Sequence, residues 1–134
     1  MLLHLVAAHT WDRWPLDQDY VAPSLQSEGF IHCTGDEDTL LAVANAFYRD
    51  DPGEMLALEL DEARLGSAVR WEPPAPTPPP GVAADVLFPH VYAPVPRDAV
   101  VAVRRLRRGA DGTFLGYAAR TRGASPSAPR TQRG

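Results

Sequence analysis

The chain has 134 residues, 45% of them hydrophobic and 22% charged, which is enough for one globular domain and too short for two. No stretch reaches the roughly 20 consecutive apolar residues of a membrane-spanning helix, and the opening MLLHLVAAH is too short for a secretory signal and lacks its basic start, so a soluble, cytoplasmic protein without membrane partners is expected. The net charge is −4, and the single cysteine, Cys33, has no second cysteine for an internal disulfide or a thiolate metal site, which excludes disulfide scaffolds and zinc ribbons.

Leu2-Leu3-His4-Leu5-Val6 reads as a short buried strand that carries one polar side chain, and Trp11 to Tyr20 as an irregular or short helical segment broken at Pro15. Gly29 to Thr34 reads as a second short strand. A helix follows over Asp36 to Tyr48, with Thr34 and Glu37 as a capping box, Asp36 and Asp38 at the positive end of the dipole, and Leu40, Leu41, Ala44 and Phe47 at helical spacing. After the Asp50-Asp51-Pro52-Gly53 turn, Met55 to Leu60 alternates as a half-buried strand, and Val69 to Glu72 is a further short one.

Six prolines in the eight residues Pro73 to Pro80 specify an extended loop of polyproline character. Val86 to Phe88 and His90 to Tyr92 are strand-like pieces flanking Pro89. Ala99 to Val103 is the most continuous buried-strand pattern, and Thr113 to Ala118 reads as a last edge strand. The charge divides at Val103. Residues 1–103 set 16 acidic residues against five arginines, a balance of −11, and residues 104–134 set eight arginines against Asp111, a balance of +7. Residues 1–108 are thus expected to form the domain, and 109–134 an edge strand followed by a basic, disordered tail. Arg104, Arg105, Arg107 and Arg108 have two readings, a surface for phosphate or RNA and a solvated counterweight to the acidic body.

Three of the four histidines, His4, His32 and His90, sit in apolar runs, where an imidazole must find hydrogen-bond partners. With no HxH or HxxxH pair, no metal site is expected. Neighbours on a strand point to opposite faces, so His32 cannot readily serve Cys33 as a base, and Cys33 reads as a packing residue. Trp11, Tyr20, Trp71 and Tyr92 suit either a core or the lining of a nucleotide pocket.

An early strand histidine, Trp11, Tyr20 with Ser24-Leu25, the block EGFIHCT at Glu28 to Thr34, Arg70-Trp71-Glu72, and FPHVY at Phe88 to Tyr92 followed by Pro94-Val95-Pro96 resemble the domain-of-unknown-function family 952 over about residues 2 to 106. The resemblance implies an α+β fold with a small split antiparallel β core and one main helix, like that of the ADP-ribosyltransferase superfamily. In that superfamily a first-strand histidine binds a ribose hydroxyl and a second-strand residue faces the nicotinamide. His4 and His32 hold these places in order. In the tRNA 2'-phosphotransferase branch the second place lies in a strand-ending His-Leu-Ser, which Ile31 to Thr34 resembles. A third place, often glutamate, supports the cationic transition state, and Glu72 is nearest by order, with Glu28 as the other carboxylate within the matched blocks.

The resemblance implies NAD as substrate, no metal, catalytic roles for His4, His32 and Glu72, and ligand contacts from Trp11, Tyr20, Ser24, His90 and Tyr92. The expected reaction is transfer of ADP-ribose by an enzyme of the glycosyltransferase type. The alternatives are a non-catalytic nucleotide-binding module and an RNA 2'-phosphotransferase-like activity.

Overall fold

In the computed structural model, which describes residues 1–74 and 77–119, the first apolar run becomes strand β1, Leu2–Ala7. Its alternate side chains serve two cores: Leu2 and Val6 enter one cluster, Leu3 the other. A short helix α1, Ala8–Asp12, follows directly, earlier than Trp11, because the chain turns where β1 ends. Helix α2, Pro23–Glu28, starts at a proline whose missing N–H costs nothing there and stops at Gly29, whose φ is +94°.

Strand β2 is only Ile31–His32. It lies beside β5, Phe88–Val91, which in turn pairs with β4, Val69–Glu72, so the small antiparallel sheet runs β2-β5-β4. One strand runs through Pro89, where two pieces are expected from the sequence. In a strand the N and C=O of one residue point to the same side. The Pro89 carbonyl accepts from the Cys33 N–H at 3.1 Å, so the missing proline donor faces β2 and limits that strand rather than the β4 pairing.

The larger sheet runs β1-β3-β6-β7, with β3 at Met55–Leu60, β6 at Val100–Arg108 and β7 at Phe114–Tyr117. Strand β6 continues five residues beyond the expected Val103, through the arginines. Arg104 reaches Glu59 at 3.4 Å and its guanidinium lies 4.3 Å from the Tyr117 ring. Arg108 donates to the carbonyls of Tyr48 at 2.7 Å and Arg49 at 3.2 Å. These two side chains are structural parts of the sheet.

Helix α3, Glu37–Phe47, buries Leu40 and Ala44 against Leu3, Met55, Ala57, Leu106 and Phe114. Its N-cap is Asp36, whose carboxylate accepts from the Thr39 N–H at 2.7 Å, not Thr34. Thr34 is held in the sheet instead: Leu3 and Thr34 exchange two backbone hydrogen bonds of 2.8 Å, the bridge between the two sheets. Helix α4, Glu62–Leu65, links β3 to β4. The second core fills the space between the sheets, with Leu2, Val6, Leu56, Leu58 and Leu60 from the large sheet against Ile31, Cys33 and Val91 from the small one, together with Tyr20 and Val95. The fold is a small α+β arrangement of antiparallel sheets. The described part of the Pro73–Pro80 loop forms neither helix nor strand, and the expected disordered tail from Arg120 lies outside the described residues.

Candidate functional site

The two-residue period of the small sheet decides what faces outward. Ile31, Val91 and Val69 point into the core, so His32 on β2, Phe88 and His90 on β5, and Arg70 and Glu72 on β4 share the opposite face. Register sets His32 directly across from His90, and His90 across from Arg70. Phe30 and Tyr92, one step beyond the strands, extend the same face: the Phe30 ring stacks on His90 at 4.0 Å with 23° between the planes and lies 5.4 Å from Tyr92.

Glu72 is the hub of this face. Its Oε1 accepts from the Tyr92 hydroxyl at 2.5 Å and from His90 Nδ1 at 2.7 Å. Those two bonds, with the Arg70 charge nearby, hold the Glu72 carboxyl below the usual carboxylate range, and the same contact pushes the Tyr92 phenol up. A carboxylate only accepts, so His90 Nδ1 carries a proton, and Nε2 is the ring nitrogen left to face other groups. Arg70 lies 4.8 Å over the Tyr92 ring. A second imidazole–carboxylate pair stands beside the first: His32 Nε2 is 3.1 Å from Glu28 Oε1, and the His32 and His90 rings are 5.7 Å apart. The His32 side chain is 55% exposed and that of His90 only 7%.

His4 belongs to a different cluster. It is buried, its Nδ1 donates to the His32 carbonyl at 2.7 Å, and its Nε2 accepts from the Tyr20 hydroxyl at 2.9 Å. The carbonyl dictates this tautomer because it has no proton to give. Burial lowers the His4 pKa to about 4 and raises that of Tyr20. Trp11 and Trp14 pack edge-on against Tyr20 at 5.8 and 5.1 Å, and Arg97 covers Trp11 at 4.2 Å. Antiparallel pairing beyond Leu3 and Thr34 would set Leu5 opposite His32. The strands part there, and the His4 ring takes the carbonyl that the ladder leaves open.

Of the residues expected from the sequence, the structure brings His32, Glu72, His90 and Tyr92 onto one face, and Glu28 onto its edge. His4, Tyr20 and Trp11 lie on the core side, joined to that face only through the His32 carbonyl. Ser24 is half-buried in α2, with no side-chain bond to either group. Trp71 has the opposite parity from Glu72: its Nε1 donates to Glu62 at 3.0 Å and its ring lies 2.9 Å from where a Cβ on Gly35 would sit. Burial pushes the Cys33 thiol up to about 12, in keeping with a packing role. Phe30 and Arg70 were missed as site residues, although counting by two from His32 and Glu72 finds both. Among the described residues no three His, Cys, Asp or Glu side chains are grouped to hold a metal ion, and no helix is long and apolar enough to cross a membrane.

No curated protein matches the chain. Protein CC0527 from Caulobacter crescentus has a similar crystal structure, with a TM-score of 0.68 and 20% identity over 85% of this chain and 92% of that one. A double methionine variant of CC0527 gives the same TM-score at 19% identity. At this identity the likeness is one of fold. The sequence profile described as "Protein of unknown function (DUF952)" matches residues 5–103, and the chain belongs to that family.

Proposed function

We propose that the outer face of the small sheet binds a phosphorylated nucleoside, with NAD as the substrate, and transfers ADP-ribose from it within an ADP-ribosyltransferase-like split sheet. The observation that carries this reading is Glu72, a carboxylate whose two donors among the described residues both bond Oε1, which leaves Oε2 for a ligand. Cleavage of the nicotinamide glycosidic bond develops positive charge on the ribose, and a fixed carboxylate beside that carbon stabilises it. Phe30 and Tyr92 offer a ring surface for stacking, Arg70 a cation for phosphate, and His32 Nδ1 an acceptor for a sugar hydroxyl. The parting of β1 from β2 after the Leu3–Thr34 bridge supports the split-sheet likeness. In this reading His4 is a positioning residue that fixes the His32 backbone.

Calorimetry with NAD, ADP-ribose and a 2'-phosphorylated nucleotide, together with nicotinamide release, tests it. Wild type is expected to bind NAD and release nicotinamide, and Glu72→Gln to bind but lose release by about 10²-fold or more. No binding of any of the three at millimolar concentration overturns the reading. Binding without release makes the chain a nucleotide-binding module instead. The RNA alternative loses support from Arg104 and Arg108, whose guanidinium groups are engaged by Glu59 and by the end of α3.

A further inference from the structure

Two imidazoles stand side by side on adjacent strands, each tied to its own carboxylate, and both tied through different nitrogens. His90 gives Nδ1 to Glu72 and keeps Nε2, while His32 gives Nε2 to Glu28 and keeps Nδ1. Their rings are 5.7 Å apart, at 75° to one another, and Arg70 completes the row at the register position next to His90. His32, with its side chain 55% exposed, needs no such partner to offset burial. Two imidazoles and a cation across three neighbouring strands can supply the proton acceptor, the proton donor and the charge that breaking a phosphodiester needs.

We propose that His90 and His32 form a general base and general acid pair that hydrolyses a nucleoside phosphodiester held by Arg70. Phe30 and Tyr92 receive the base of that nucleoside. The inference rests on the reading that this face binds a phosphorylated nucleoside, and it adds a second reaction there. Water attacks phosphorus as His90 Nε2 takes its proton, and Glu72 steadies the resulting imidazolium through Nδ1, as a carboxylate does for a histidine base. The bond from phosphorus to a ribose oxygen breaks, its electron pair stays on that oxygen, and His32, which enters the step doubly protonated with Nε2–H on Glu28, supplies the proton from Nδ1. Return of one proton to His32 and loss of one from His90 to solvent restore the site. The products are a nucleoside and a monophosphate ester group on one molecule when the substrate is a 2',3'-cyclic phosphate.

The groups facing the pair are Glu28 from α2, Phe30 before β2, Arg70 and Glu72 from β4, and Tyr92 after β5.

The probe is 2',3'-cyclic adenosine monophosphate, with the wild-type full chain and the variants His32→Gln, His90→Gln and Arg70→Ala, each checked for folding by its near-ultraviolet circular dichroism. Each histidine variant is expected to lower kcat by about 10²–10⁴-fold, and the double variant to fall little further, since the two act in one step. Arg70→Ala is expected to raise KM with a smaller change in kcat. Because His90 is buried, Glu28→Gln serves as a second variant that leaves the core untouched, and a lower kcat is expected there. No hydrolysis above the buffer rate overturns the proposal, as does hydrolysis that both folded histidine variants retain. NAD binding with no hydrolysis overturns this inference alone, and hydrolysis without NAD binding overturns the NAD reading alone.

Discussion

At the scale of single residues, the outer face turns on one carboxylate oxygen. Tyr92 and His90 both donate to Glu72 Oε1, and the Tyr92 bond is the stronger influence on the carboxyl. Since the folded group titrates below a free glutamate, these bonds stabilise the fold above the ordinary carboxylate range and are lost as pH falls through the lowered value. Tyr92→Phe removes one donor and leaves the ring contacts with Phe30 and Arg70 in place. The Glu72 carboxyl is then expected to titrate higher, back towards an ordinary glutamate, in a carbon-detected NMR titration. An unchanged titration would mean that Tyr92 does not hold this carboxylate in solution. The pairing of Glu72 with His90 was not legible beforehand, because the proline-rich loop separates β4 from β5 and nothing in either segment announces their register. The aromatic and polar identities of the two blocks were legible, and with them most of the residues that meet there.

Among the elements, α3 was the most readable, because its signals are local: Asp36 precedes it, acidic residues fill its first turn, and Leu40 and Ala44 recur on one face. Its end was legible to within one residue, from the turn that follows Tyr48, but the side chain that closes it was not, since it comes from a strand some 60 positions away in sequence. Arg108 caps the carbonyls of Tyr48 and Arg49, reaches that of Gly53 at 3.2 Å, and lies 4.1 Å over the Phe114 ring. In composition it counts only as one charge in a basic run. Arg108→Leu is expected to cost about 1–3 kcal/mol in urea unfolding, and a loss near zero would mean that solvent replaces these bonds freely. Gly112 closes the same junction. Its φ is +88° and a Cβ there would lie 2.8 Å from the Arg49 carbonyl oxygen, whereas at Gly29, with φ +94°, a Cβ would meet nothing within 4 Å. Both alanine variants pay for the left-handed backbone, and only Gly112→Ala also clashes with a main-chain atom that cannot easily move. Gly112→Ala is therefore expected to be the less stable of the two, and equal stabilities would show that the turn relaxes away from Arg49.

For the molecule as a whole, the two sheets share a core but little backbone pairing: the Leu3–Thr34 bridge and, one residue on, the His4 ring on the His32 carbonyl. The sequence marks His4 as a polar residue in a buried strand and so marks it as special. It cannot say whether the ring faces a ligand or spans a gap, because that depends on where β1 and β2 part. Spanning a gap makes the junction sensitive to acid. A protonated His4 would have to offer a second proton at Nε2 towards Tyr20, inside a core that disfavours charge, and its pKa is accordingly lowered to about 4 from 6.5. The unfolded chain takes up this proton first as pH falls below 6.5. Stability from neutral His4 is thus fully present above 6.5, declines between 6.5 and 4, and levels off below. The loss is on the order of 3 kcal/mol in total, of which about 2 kcal/mol falls above pH 5. Urea unfolding of wild type and of His4→Gln between pH 7.5 and pH 5 isolates this share, because the carboxylates titrate in both proteins. The variant is expected to be less stable at pH 7.5, having lost the fit between carbonyl and hydroxyl, and to lose less on acidification. Parallel curves for the two proteins would place the acid sensitivity elsewhere and remove His4 as the strut between the sheets.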